Sequence, residues 1–152
     1  MARRKVKIES EYAPRKWQAY FHANKKRSSC LVIHRRGGKT VGVIEDLKDE
    51  ALKFNKSDPL TGKPLKNPKY AYLATTRGQA EEVAWEIFKD SFKNIPGINF
   101  NNSKLKITFP HPRGMCTILL LGTENFNPIR GNYLDGVILD EFGDMHPSVR
   151  DE

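Results

Sequence analysis

Between Pro14 and Lys26, the segment PRKWQAYFHANKK sets Trp17, Tyr20 and Phe21 at helical spacing, with proline where a helix start tolerates it. The next apolar run, SSCLVI from Ser28 to Ile33, is short and predicts a buried strand. From Thr40 the period lengthens again. Val41, Ile44, Leu47, Ala51 and Phe54 fall close to one helical face, so a helix is expected to end near Phe54. Residues 55 to 69, NKSDPLTGKPLKNPK, hold three prolines, a glycine and several lysines, and predict a loop. The stretch KYAYLAT, Lys69 to Thr75, predicts a second strand, and Thr75 or Thr76 is suited to cap the helix after it. In that helix Ala80, Val83, Ala84, Ile87, Phe88 and Ser91 repeat at three and four residues. LKITF (105–109), a turn HPRG (111–114) and MCTILLLG (115–122) predict a β-hairpin. GVILD, Gly136 to Asp140, predicts a buried strand that ends in acid.

This order of elements is an α/β pattern with a mainly parallel sheet flanked by helices. Ligands in such sheets bind beyond the carboxyl ends of the strands, so chemistry is expected just after Ile33, Thr75 and Leu139. Residues 1–13 read as a flexible basic arm, and 14–152 as the N-terminal part of one domain, incomplete at the C-terminus; the chain has the length of one ordinary domain, enough to bury a single core.

Composition narrows the classes. With 38% hydrophobic and 29% charged residues the chain reads as soluble and globular. No apolar run approaches the roughly 20 residues of a membrane helix. The basic N-terminus lacks the apolar core of a secretory signal. Cys30 and Cys116 sit in apolar runs without a CxxC pattern, and are expected as reduced core residues. The four histidines share no metal-ligand spacing, so no zinc site is expected. A net charge of +8 makes nucleic acid the first candidate partner, with a lysine-rich solvated face as the alternative. Basic residues gather at Arg3 to Lys7, Lys25 to Arg27 and Lys53 to Lys69, which suits contacts to a phosphate backbone.

Candidate chemistry begins directly after the first expected strand, where His34-Arg35-Arg36-Gly37-Gly38-Lys39-Thr40 opens into a helix. Glycines let backbone N–H groups turn toward a phosphate, and the helix N-terminus adds partial positive charge. Lys39 is suited to the β/γ-phosphates and the Thr40 hydroxyl to Mg²⁺. The usual pattern begins with a further glycine, and Ile33 stands in its place. Far along the chain, Val137-Ile138-Leu139 followed by Asp140-Glu141 fits a Walker B element. Asp140 would hold the Mg²⁺ shell and Glu141 would polarise the attacking water. Together the two motifs predict a P-loop ATPase.

Four ordered segments carry a family resemblance: Trp17-Gln18 in RKWQAYF, the loop HRRGGKT, LATTRGQAEEVAWEIF, and Asn127-Pro128-Ile129-Arg130-Gly131 ahead of DGVILDE. Together they resemble the ATPase of large terminases of tailed phages. The resemblance implies a RecA-like P-loop fold. It implies ATP hydrolysis with Mg²⁺, driving double-stranded DNA into a procapsid in the host cytoplasm, by a protein that is not a virion component. Nucleotide-binding residues on this basis are Gln18, reading adenine, with Arg35, Arg36, Gly37, Gly38, Lys39 and Thr40. Thr40 and Asp140 serve the metal. Glu141, Arg35 acting within its own subunit, and Arg130 reaching a neighbour's nucleotide serve catalysis. Implied partners are viral DNA, a small terminase subunit, the portal protein and sister subunits in a ring, with no membrane. The family places a coupling motif and then a nuclease domain after Glu141, so the chain reads as part of such a motor. It also sets a strand from beyond the Walker B element between the two motif-bearing strands. The rivals are a superfamily-2 helicase, against which Phe-Gly-Asp rather than a DEAD/DEAH extension follows Glu141, and a nucleotide- or DNA-binding module without turnover.

Overall fold

The computed structural model describes residues 8–124, 133–145 and Val149. Helix α1 spans Lys16–Asn24. It turns a polar residue inward: Gln18 is 3% exposed, whereas Tyr20 is 72% exposed and Trp17 half-buried. The indole edge of Trp17 meets polar backbone, its Nε1 donating to Gly37 O at 3.0 Å. Helix α2, Lys39–Leu52, buries Ile44, Leu47 and Ala51, with Phe54 just beyond its end, while Val41 faces outward.

Strand β1, Lys69–Ala74, is followed by a helix in three parts: α3 (Arg77–Ala80), a π-helical turn (Glu81–Trp85) and α4 (Glu86–Phe92). Thr76 caps it, its Oγ1 accepting from Gln79 N at 3.1 Å. The wider π turn resets the helical phase. Ala80, Ala84, Trp85, Phe88 and Phe92 are buried in consequence, and Val83, expected inside, is exposed.

Then come β2 (Asn99–Asn101), β3 (Lys106–His111), β4 (Gly114–Gly122) and β5 (Gly136–Leu139). The sheet order is β2-β3-β4-β1-β5. β1 runs parallel to both β4 and β5, whereas β3 is antiparallel to β4 and to β2. The sheet is therefore mixed. The expected parallel part is β4-β1-β5, and the expected hairpin extends it with antiparallel strands. β2 has three residues, too few to show alternation in sequence.

β1 is buried on both faces, as a central strand should be. Tyr70, Tyr72 and Ala74 pack with α2, α4 and the hairpin, while Ala71 and Leu73 join Met145 and Val149 on the other side. Beyond Leu52, residues 55–68 form the expected loop, closed by a Ser57–Pro64 bridge.

Two expectations fail, the strand at 28–33 and the core place of Cys30. Ser28 to Ile33 forms no strand, Cys30 is exposed and Val32 is 93% exposed. A strand needs a ladder partner, and β5, the end strand on this side, pairs only with β1 among the described residues. Of the arm expected over 1–13, Ile8 packs against the core and the Glu9 carbonyl accepts from Asn94 Nδ2 at 3.0 Å. Among the described residues, no helix is long and apolar enough to cross a membrane.

Candidate nucleotide-binding site

The loop between Ile33 and α2 turns tightly, with Gly37 N donating to His34 O at 3.1 Å. Arg36 and Gly38 both adopt left-handed backbone, with φ of 62° and 82°. Such local reversals gather N–H groups on one side into an anion-binding concavity. A Cβ on Gly37 would lie 2.4 Å from Ile33 Cγ2. The isoleucine that replaces the usual first glycine therefore fills space that Gly37 leaves. Gly38 is the N-cap of α2, so Lys39 and Thr40 occupy its first turn, where backbone N–H groups lack helical partners.

At the end of β5, Asp140 N donates to Leu73 O at 2.9 Å, which extends the pairing with β1 by one residue. The Asp140 carboxylate is held on both oxygens: Tyr72 Oη donates to Oδ2 at 2.5 Å, and Glu141 N to Oδ1 at 3.2 Å. Burial, then the hydrogen bond to Asp140, pushes the Tyr72 phenol well above its ordinary value, so it remains a donor. Glu141 takes left-handed backbone, φ 54°, and turns the chain into a short 3-10 helix, Phe142–Asp144. Its Oε1 lies 3.5 Å from Lys39 Nζ. The loop lysine and the acidic pair after β5, distant in sequence, thus converge beyond the carboxyl end of the sheet.

Thr40 is partly buried in the first turn of α2, and Arg35 and Arg36 are exposed on the loop. Gln18 is already engaged: its Oε1 accepts from Arg15 N at 2.7 Å and its Nε2 donates to Gly38 O at 2.8 Å. Arg130 and the segment 127–131 lie outside the described residues. After β1, where chemistry was also expected, Glu124 Oε1 accepts from Arg77 N at 2.8 Å and Thr123 Oγ1 donates to Thr75 O at 3.2 Å, tying β4 to α3.

Among the described residues, no three His, Cys, Asp or Glu side chains cluster to hold a metal. Mg²⁺ does not need such a cage, since it is usually held by one or two carboxylates together with substrate phosphates and water. The hard oxygen donors of Thr40 and Asp140 fit that chemistry. Tyr72 escaped the reading of the sequence. Its signal was a phenol inside an otherwise apolar strand, a group that must find a partner when buried.

The chain matches no protein-family model and no curated protein. Its fold does match solved structures. Against the large terminase ATPase domain of Thermus phage P74-26 the TM-score is 0.72 at 19% identity, covering 93% of this chain and 58% of that one. Against the large terminase of a second thermophilic bacteriophage it is 0.60 at 19% identity, covering 77% of this chain and 27% of that one. The same phage's protein in complex with ATP-gamma-S gives 0.57 at 19% identity, covering 77% and 26%. This chain thus spans about a quarter of that second terminase and little more than half of the P74-26 domain. It has the RecA-like P-loop fold of the large terminase ATPase domains, a mixed five-stranded sheet flanked by helices.

Proposed function

We propose that this chain binds ATP and hydrolyses it as part of the ATPase of a motor that drives double-stranded viral DNA into a procapsid. The observation that carries the reading is the convergence of Lys39 and Glu141, 3.5 Å apart, at the start of α2 and the end of β5. A likeness to large terminases supports it, one of them crystallised in complex with ATP-gamma-S and with ADP.

Each role follows from the chemistry of its group. The N–H groups at the start of α2 and the Lys39 ammonium stabilise the β- and γ-phosphates. Lys39 gives up little by leaving Glu141, because partly exposed ion pairs are worth only about 0–1 kcal/mol. Once released, the Glu141 carboxylate orients the attacking water. Thr40 and Asp140 would hold Mg²⁺, which when bound neutralises charge on the phosphate oxygens. Arg35 serves its own subunit's nucleotide and Arg130 a neighbour's. The partners are viral DNA, a small terminase subunit, the portal protein and sister subunits in a ring.

DNA-stimulated ATP turnover and calorimetric nucleotide affinity of the intact protein test this. Lys39→Ala should lose both. Glu141→Gln keeps size and polarity but loses charge, so affinity should survive while turnover falls by roughly 10²-fold or more. A Lys39→Ala protein that binds ATP as tightly as wild type would sink the assignment.

A further inference from the structure

Three consecutive carbonyls of the loop are held by side chains from the start of α1. Arg15 Nη1 donates to Arg36 O at 3.1 Å, Trp17 Nε1 to Gly37 O at 3.0 Å and Gln18 Nε2 to Gly38 O at 2.8 Å. A trans peptide points its C=O and its N–H in opposite directions. With these carbonyls fixed toward α1, the N–H groups of Gly38 and Lys39 face the other way. The third carbonyl works twice, since Gly38 O also accepts Gly42 N at 3.0 Å, the first hydrogen bond of α2.

The fit is close. Gly42 lies inside α2, where glycine is a poor helix former. A Cβ there would meet Gln18 Cγ and Nε2 at 3.2 Å and Trp17 Cη2 at 3.3 Å. At its other end α1 is fastened to α2 as well: Lys25 Nζ donates to Asp46 at 2.9 Å and to Glu50 at 2.7 Å, and His22 Nδ1 lies 3.0 Å from Asp46 Oδ1. Gln18 itself is 3% exposed with both ends of its amide engaged.

We infer that Trp17 and Gln18 are positioning residues that hold the phosphate loop by its carbonyls, and that Gln18 acts on the phosphates through the loop rather than by reading the base. The ligand follows from this chemistry: any polyphosphate, whatever base it carries, gains from the clamp. The inference rests on the proposed nucleotide-binding role for its effect on affinity, but not for its effect on the loop.

The test uses the intact protein with two readouts. Amide hydrogen exchange across residues 37–42 reports the loop without ligand, and calorimetry reports binding of ATP, GTP and inorganic tripolyphosphate. Trp17→Phe, which keeps a ring but loses the donor, and Gln18→Met should each speed exchange across 37–42. Each should weaken all three ligands by the same factor, roughly tenfold for one buried hydrogen bond, leaving the ratio of ATP to GTP unchanged. Trp85→Phe removes a comparable indole bond, to Asn102 Oδ1 at 2.9 Å, and should leave both readouts alone. If Gln18→Met does not fold, Trp17→Phe carries the test. Unchanged exchange in the folded variants overturns the inference. So does a Gln18→Met protein whose ATP-to-GTP ratio shifts while tripolyphosphate binds as before, since that is a base reader. If wild type binds no triphosphate yet the variants still loosen the loop, the clamp stands and the nucleotide reading falls.

Discussion

Tyr72 ties Asp140 to the middle of the sheet, and one hydroxyl here bears on both the site and the stability of the protein. The phenol donates to Asp140 Oδ2 at 2.5 Å, which fixes the carboxylate next to Glu141. Tyr72→Phe should cost about 1 kcal/mol at neutral pH, the ordinary worth of one hydrogen bond, and slow ATP turnover more than it weakens ATP binding. Burial raises the phenols of Tyr72 and Tyr70 and pushes the Cys116 thiol up to about 12. The folded chain therefore keeps these protons to higher pH than the unfolded chain does. Stability changes with pH as the protons bound by the unfolded state less those bound by the folded state, a difference that turns negative above about pH 9. Thermal melts should thus hold level through neutral pH and fall steadily above about pH 9, less steeply in Tyr72→Phe. Melts that stay flat to about pH 10.5 would mean that these groups are not protected. At this scale the motifs singled out Lys39 and Glu141, which the structure brings within 3.5 Å, because phosphate chemistry calls for those residue types in that order. The partners of Gln18 and the hydroxyl of Tyr72 were not, because hydrogen bonds between distant segments leave no periodic trace.

Between elements, the joint of α2 with α4 is made by charge as well as by apolar packing. Lys48 Nζ lies 2.5 Å from Glu45 Oε2 and donates to Ser91 O at 3.1 Å, while Ser91 Oγ donates to Glu45 Oε1 at 2.7 Å. The two charged side chains are only 8% and 10% exposed. Glu45→Ala strands the ammonium and should cost about 3–5 kcal/mol. Replacing both, with Glu45→Leu and Lys48→Met, should cost much less, since an apolar pair avoids the desolvation penalty. A double variant as unstable as the single one, by urea unfolding, would mean that the pair itself is stabilising. Periodicity found α2 and the helix after β1, yet lysine at position 48 reads as solvent-facing, so the pair was invisible. The π turn at Glu81–Trp85 was hidden for a related reason, because a change of helical phase is a property of packing and not of any residue type. Strands β1, β3, β4 and β5 were legible from their apolar runs and the HPRG turn. SSCLVI has the same composition as a buried strand and is not one, because composition cannot supply a hydrogen-bonded neighbour.

For the whole molecule, the two edges of the sheet differ. β2 is short and polar, Asn-Phe-Asn, and makes a poor template for pairing. β5 is apolar, with Val137 48% and Leu139 36% exposed, and one side of its ladder is unpaired among the described residues. Val32, 93% exposed in the apolar run 28–33, adds a second unsatisfied apolar segment. Open apolar edges recruit foreign strands, and charge at the edge suppresses this. The 152-residue chain should therefore associate as its concentration rises and bind nucleotide weakly. The site shares the weakness, since the Asp140-Glu141 turn follows an edge strand held from one side only among the described residues. Val137→Lys should reduce association, measured by sedimentation, while leaving the α2–α4 face of the core intact. If wild type stays monomeric as its concentration rises, then β5 is not an open edge in solution, and some other part of the chain must cover it.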